Sequence, residues 1–283
     1  MGAILSIQSH VVYGHVGNSA AAFALQRLGR EVWPLHTVQF SSHAGYPGWR
    51  GEAFPPALIG DCVAGLDAIG ALAHCAGVLT GYLGRAETGQ AALGALAAVR
   101  ARNPQAAYAC DPVIGDDGRG VYVRDGVPEF LRERALPAAA IVSPNAFELG
   151  YLTGLPVASR AEAVAALQAL RARGPLVAYA TSLRLDDTPA DALDLVVAAP
   201  EGAWRVRTPR LPIAVNGAGD LFSALFLHEW LASHDAAGAL ASAAARVYAV
   251  VAATAAARAR ELQLVAAQEA LAEPRLRFTP ERL

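Results

Sequence analysis

Apolar residues arrive along this chain in short runs, several of them β-branched, separated by longer stretches of helical periodicity, and the two alternate through most of its length. Runs over 3–8, 31–40, 76–82, 106–111, 139–143 and 175–181 read as strands, and stretches over 19–28, 56–73, 86–102 and 160–173 read as helices. Such alternation predicts an α/β fold, a mostly parallel sheet covered by helices and joined by right-handed crossovers. The runs 192–199 and 203–208 flank Pro200, Glu201 and Gly202 and predict a hairpin that gives the sheet an antiparallel edge. Pro34 cannot donate to a strand ladder, which predicts an edge position or a bulge. Alanine-rich stretches over 218–232, 236–259 and 261–272 read as closing helices, the last two as scaffold without chemistry.

In an open parallel sheet, ligands bind at the carboxyl ends of the strands, so the residues that end each strand matter most. The first strand ends at Ser9 and His10, and Gly14, Gly17 and Asn18 form the loop that opens a helix; Ser9, His10 and His15 therefore point at a site, although serine is also a common turn former. Tyr82 ends another strand at the same edge, where a core tyrosine is the simpler reading of the residue taken alone. Asp111 leaves its strand just before Pro112 and a run bearing Gly115, Gly118 and Gly120. Asn145 and Glu148 lie three apart at a helix start after Ser143; they read either as a capping box or as an oxygen pair for hydrated magnesium. Thr181 and Ser182 end the next strand. The stretch 41–51 has aromatics, glycines and no periodicity, which suits a flap over a substrate, a subunit contact or a surface loop. Arg205, Arg207 and Arg210 could meet an anion or line a solvated sheet edge.

Gly217-Ala218-Gly219-Asp220 runs into the apolar Leu221 to Phe226, a tight turn feeding a buried helix. The amides of a helix start have no intrahelical partner and bind anions. Asp220 in that place is either a cap residue or the base of a phosphoryl-transfer site, since a carboxylate would repel the ligand of a simple phosphate cradle.

A chain of 283 residues that is 54% hydrophobic can bury one large core, and a single domain over 1–283 with a flap at about 41–55 is expected. A net charge of −2 offers no basic field for nucleic acid. Cys62, Cys75 and Cys110 have neither disulfide nor metal spacing, which suits a reducing, cytoplasmic setting. The N-terminal run lacks a basic region before it, and no apolar run reads as long enough to span a bilayer. The chain has no lysine, which excludes a Walker A lysine and a lysine Schiff base.

Taken in order, Ser9, the Gly14-to-Asn18 loop, Val38 to His43, Thr80-Gly81-Tyr82-Leu83, Asp111-Pro112-Val113, Pro144 and Asn145 with Glu148, and Gly217 to Asp220 resemble the pyridoxal kinases of the ribokinase superfamily, most closely the bacterial PdxY type. The last two motifs identify only the superfamily. The stretches Gln8 to Gly14 and Val38 to His43 are more specific.

The resemblance implies a ribokinase-like three-layer α/β/α sandwich. It implies ATP-dependent phosphorylation of the 5-hydroxymethyl group of pyridoxal, pyridoxine or pyridoxamine to the 5′-phosphate, in vitamin B6 salvage. By motif, Asp220 resembles the base, the amides of Gly217, Ala218 and Gly219 the anion hole, and Ser9, Ala44, Gly45 and Tyr82 the surroundings of the vitamin ring. Asp111 and Glu148 resemble the acidic residues around Mg²⁺ and the nucleotide, with Ser143, Asn145, Thr181, Ser182, Thr208, Pro209, Arg210 and Leu211 on ATP. A monovalent cation such as K⁺ and a homodimer are further implications.

Asn216 departs from the usual threonine, Ala44 lacks a flap hydroxyl, and the connection from Leu211 to Asn216 looks short. A hydroxymethylpyrimidine kinase would open with a Gly-Gly-Ala-Gly-Ile-Gln-type loop that this chain lacks, and a sugar kinase would carry a longer lid. A B6-vitamer carrier without turnover is the rival from another class, because a fold does not fix a function. Retention of Asp220, Asp111 and Glu148 speaks against it.

Overall fold

The computed structural model describes residues 2–283. Its strands are β1 (Ala3–Val11), β2 (Val32–Phe40), β3 (Gly51–Ala53), β4 (Cys75–Thr80), β5 (Ala107–Cys110), β6 (Gly115–Asp116), β7 (Gly120–Val121), β8 (Ile141–Val142), β9 (Val177–Leu183), β10 (Ala192–Ala199), β11 (Gly202–Pro209) and β12 (Glu281–Arg282). Among the described residues ten of them form one sheet in the order β12-β11-β10-β9-β8-β5-β4-β1-β2-β3, and β6 and β7 form a separate two-stranded ribbon. The six from β2 to β9 are parallel; β10, β11 and β12 add an antiparallel edge on one side and β3 a short one on the other. The chain leaves β1 for β2, then returns across β1 to β4. That reversal opens a crevice at the carboxyl ends of β1 and β4.

Helices cover both faces, giving three layers. Leu5, Ile7, Tyr108, Cys110, Val196 and Ala198 face α2 (Ala57–Ala68), α3 (Ala86–Arg102), α6 (Ala146–Thr153) and α7 (Arg160–Arg171). Their strand neighbours Ile4, Ala107, Ala109, Leu195 and Val197 face α1 (Asn18–Arg27), α8 (Ala218–Ser233) and α9 (Ala236–Ala256). The period-two alternation thus feeds two cores, which is why these strands read as continuous apolar runs. Tyr179 on β9 stacks on Phe226 of α8 with ring centroids 4.2 Å apart, anchoring the helix that carries Asp220.

The predicted strands and helices up to 183 are present, with ends shifted by a few residues. Pro34 sits opposite Ser6 of β1 on the part of β2 that β3 leaves uncovered, so the edge reading of this proline holds. Four expectations change. A broken helix over Val127 to Ala138, comprising α4 (Val127–Phe130), a π-helical turn Leu131–Ala135 and α5 (Leu136–Ala138), was hidden by Pro128 and Pro137, which seed first turns as readily as they break helices. The glycine-rich stretch after Asp111 holds the β6-β7 ribbon. The helix expected over 261–272 is confined to α10 (Gln268–Ala272), because Arg258 turns into the left-handed region at φ 49° and Gln263 N–H folds back to Thr254 Oγ1 at 3.0 Å. Finally, α9 has 21 residues and an 18-residue stretch with a mean hydropathy of 1.5, so contrary to expectation one helix is long and apolar enough to cross a membrane by length and composition. Here it packs against α8, β10 and β11 as an alanine-rich core helix.

Candidate active site

Two cavities lie along the carboxyl edge of the sheet. The first, of about 420 Å³, is bounded by Ser9 from β1, Tyr82 after β4, Asp111 after β5, and Ser143, Asn145 and Glu148 around the start of α6. His43, Ala44, Gly45 and Trp49 of the stretch after β2 close one wall, and Asn216 to Asp220 close another. The second, of about 310 Å³, lies between Thr181 and Ser182 of β9, Thr208, Pro209 and Leu211 at the end of β11, and Ala244, Val247, Tyr248 and Val251 of α9. Both cavities touch Thr181, Val215, Ala218, Gly219 and Phe222. They meet at the first turn of α8.

That turn is built by backbone geometry. Gly217 caps α8 at φ 87°, a left-handed conformation, and a Cβ there would overlap the carbonyl oxygen of His15. The first intrahelical bond is Leu221 N–H to Gly217 C=O at 2.9 Å, which leaves the preceding amides without a partner in the helix. They flank the junction of the two cavities, where the helix dipole favours an anion. Asp220 stands in the same turn. Burial lifts its carboxyl to about 6 despite the Gly17 amide, which pulls it down.

Asp111 and Glu148 face the same cavity. Burial, then the charges of Glu148 and Asp220, push the Asp111 carboxyl well above the ordinary range, while the Ser223 hydroxyl draws it back through a 2.7 Å bond. Burial lifts Glu148 to about 7 against the amides that it accepts. The capping box expected from Asn145 and Glu148 is present: Asn145 Oδ1 accepts Glu148 N–H at 2.9 Å and Glu148 Oε2 accepts Asn145 N–H at 2.9 Å. Glu148 Oε1 accepts Ile114 N–H at 2.8 Å, so this carboxylate also ties the loop after Asp111 to α6. Among the described residues no group of three or more His, Cys, Asp and Glu side chains is close enough to hold a metal by protein ligands alone. Three carboxylates around one cavity, raised by burial and in part by one another's charge, nevertheless form an electronegative site.

Most of the expected site residues come together. Ser9, Ala44, Gly45, Tyr82, Asp111, Ser143, Asn145, Glu148, Thr181 and Gly217 to Asp220 line the first cavity, and Ser182, Thr208, Pro209 and Leu211 line the second. Arg210 lines neither: it is exposed, with its amide on Asp191 C=O at 2.7 Å. His10 turns to the other side of β1, stacked on His36 with centroids 4.3 Å apart, and the His15 ring meets Ser19 C=O. Arg205 and Arg207 are spent on Asp187, Asp194 and Glu281 and meet no anion site. Asn216 Nδ2 lies 3.4 Å from His43 Nε2, which brings one of the departing residues against the flap.

Several residues escaped the sequence. Ser223 lies three beyond Asp220 on α8, and that helical spacing was the signal for it. Arg119 and Tyr122 of the β6-β7 ribbon border the first cavity, with the guanidinium 5.2 Å from the ring centroid. Four residues of α9 wall the second cavity, although this helix was read as scaffold.

The family profile described as phosphomethylpyrimidine kinase matches residues 61–263. A protein named pyridoxal kinase PdxY from Rubrobacter xylanophilus is 50% identical over 281 residues, 99% of this chain and 97% of its own. One of the same name from Corynebacterium diphtheriae is 45% identical over 280 residues, 99% of each chain. The solved structure of pyridoxal kinase from Leishmania donovani in complex with ADP and pyridoxamine superposes with a TM-score of 0.92 at 29% identity, covering 100% of both chains. Its complex with ADP and pyridoxine gives 0.90 at 29% identity over 99% of this chain and 98% of the other.

Proposed function

This chain belongs to the pyridoxal kinases of the PdxY type, and we propose that it transfers the γ-phosphoryl group of ATP to the 5-hydroxymethyl group of pyridoxal, pyridoxine or pyridoxamine. The observation that carries this reading is the first turn of α8, where a glycine-built set of free amides and a carboxylate with its proton affinity set near neutrality lie between two cavities.

The first cavity takes the vitamer, with Ser9, Ala44, Gly45 and Tyr82 around the ring and the hydroxymethyl group toward Asp220. The second takes the nucleoside among Leu193, Leu195, Val247 and Tyr248, with Ser182, Thr208, Pro209 and Leu211 at its rim. Asp111, Ser143, Asn145, Glu148 and Thr181 then face the phosphates. Asp220 takes the proton of the hydroxyl as the hydroxyl oxygen attacks the γ-phosphorus. The bond from that phosphorus to the β–γ bridging oxygen breaks and ADP leaves, and the amides of the Gly217-to-Asp220 turn receive the charge that spreads over the phosphoryl oxygens. Transfer of this kind needs alignment and charge neutralisation more than covalent help.

A divalent cation fits this donor set, because magnesium takes one or two carboxylates and completes its shell with water and phosphate. Asp111 and Glu148 would hold Mg²⁺ largely through water, the Glu148 oxygens being already engaged by amides. The ion would supply charge neutralisation for the nucleotide. A monovalent cation such as K⁺ is part of the same reading.

The stretch 41–55 serves as the flap of a single domain spanning 1–283. A homodimer through the flap and the adjoining strand edge would cover the exposed Val12 and Tyr13 at the end of β1. Three free cysteines suit the cytoplasm.

The test is turnover with Mg-ATP of pyridoxal, pyridoxine, pyridoxamine and hydroxymethylpyrimidine side by side. Phosphorylation of a B6 vitamer above hydroxymethylpyrimidine supports the reading. Tight vitamer binding without turnover would make the protein a carrier.

A further inference from the structure

Glu261, in the segment that leaves α9, is 7% exposed, and its carboxylate is engaged with residues from the other end of the chain. Oε1 accepts from Tyr46 OH at 2.7 Å and from His43 Nε2 at 3.0 Å, and Oε2 accepts from His15 N–H at 3.3 Å. Gly45 N–H donates to His43 Nδ1 at 3.1 Å, so that nitrogen is an acceptor and the ring proton sits on Nε2, aimed at Glu261. The adjacent Arg260 donates to Gly45 C=O, and its guanidinium lies 3.8 Å from the centroid of the Tyr46 ring. Both polar groups of Gly45 are therefore held by one short segment, the amide through His43 and the carbonyl directly. The other carboxylate oxygen holds the loop in which Gly17, two residues after His15, meets Asp220.

We infer that Glu261 is a positioning residue for the vitamer: it latches the flap and sets Gly45 against the ring, and it couples the flap to the loop beside the base. The inference rests on the B6-kinase reading of the first cavity.

Glu261→Gln is the informative variant, because it keeps the volume but offers one acceptor oxygen where the native contacts need two. A donor facing either Tyr46 and His43 or the His15 amide must break one side. Hydrogen exchange over 41–51 and steady-state kinetics are then compared for wild type, Glu261→Gln, Tyr46→Phe and Glu269→Gln, the last an exposed residue paired with Arg27 that should behave as wild type. Flap exchange and the KM for pyridoxal should each rise roughly tenfold in Glu261→Gln, the order that follows from losing a hydrogen bond to a carboxylate. Tyr46→Phe should shift both in the same direction by less. The KM for ATP should stay within about twofold of wild type, since the second cavity is untouched.

Unchanged flap exchange in Glu261→Gln overturns the latch. Exchange that rises evenly along the chain, or KM values for ATP and pyridoxal that rise together, makes Glu261 merely structural and overturns it too. A wild type that phosphorylates no vitamer defeats the kinase reading instead, and the flap exchange still decides whether the latch exists.

Discussion

Ser223 Oγ donates a 2.7 Å hydrogen bond to Asp111 Oδ2, tying the carboxylate that ends β5 to the helix that carries Asp220. Ser143 Oγ lies 3.2 Å from the same hydroxyl, so three residues from three elements share one polar contact beneath the first cavity. The bond opposes the burial and neighbouring charge that drive Asp111 toward its neutral form.

Removing that hydroxyl should weaken the nucleotide site more than the chemistry. Ser223→Ala is expected to raise the KM for Mg-ATP about tenfold, in line with the loss of one hydrogen bond to a charged acceptor, with a smaller change in kcat. Steady-state titration of Mg-ATP checks this, and an unchanged KM would mean that Asp111 needs no partner.

Activity should carry an acid limb. Asp220 must be deprotonated to act as a base, and burial lifts its carboxyl to about 6. The kcat/KM for pyridoxal should therefore fall as pH drops through about 6, at least as steeply as one proton requires, because Glu148, lifted to about 7, takes up a proton over the neighbouring range. A flat profile down to pH ~5 would assign the proton elsewhere.

The same shifts link stability to pH with a definite sign. Asp220 and Glu148 bind protons more tightly folded than unfolded, so their contribution is fully present below the ordinary carboxylate values near pH ~4. It is lost as pH rises through about 6 for Asp220 and about 7 for Glu148. Between these limits the ligand-free protein should lose melting temperature relative to a variant carrying Asp220→Asn and Glu148→Gln. Scanning calorimetry of both proteins at matched pH reads the difference, and parallel curves would contradict it.

Gly217→Ala tests the anion hole without altering charge. A Cβ at φ 87° would overlap the His15 carbonyl, and the left-handed backbone costs of order 1–3 kcal/mol for a residue other than glycine. Displacing the turn should lower kcat about 10²–10³-fold, the usual effect of a lost oxyanion donor, beyond any fall explained by unfolded protein. Calorimetry alongside turnover separates the two effects.

Much of the site was legible because chemistry at the end of a parallel strand leaves local marks. Gly217 to Asp220 and the Asn145-Glu148 spacing are written in adjacent residues, and strands buried on both faces read as unbroken apolar runs. What escaped depends on distant partners. Nothing around Glu261 predicts that it meets His43 and Tyr46, and its helix-favouring neighbours argued for a helix over 261–272, where Gln263 N–H instead folds back onto Thr254 Oγ1. Arg205 and Arg207 could not be told from anion ligands until β10 and β12 brought Asp194 and Glu281 against them. The β6-β7 ribbon was hidden in a glycine-rich stretch whose two strands are two residues each.

The most direct test of the account is single-turnover transfer of the γ-phosphoryl group from Mg-ATP to pyridoxal by the wild type and by Asp220→Asn, with the ATP dissociation constant measured on both. Transfer slowed about 10²–10⁴-fold with ATP affinity nearly unchanged is the expected result for a positioned base. Equal loss of affinity and rate, or full transfer by the variant, would contradict it.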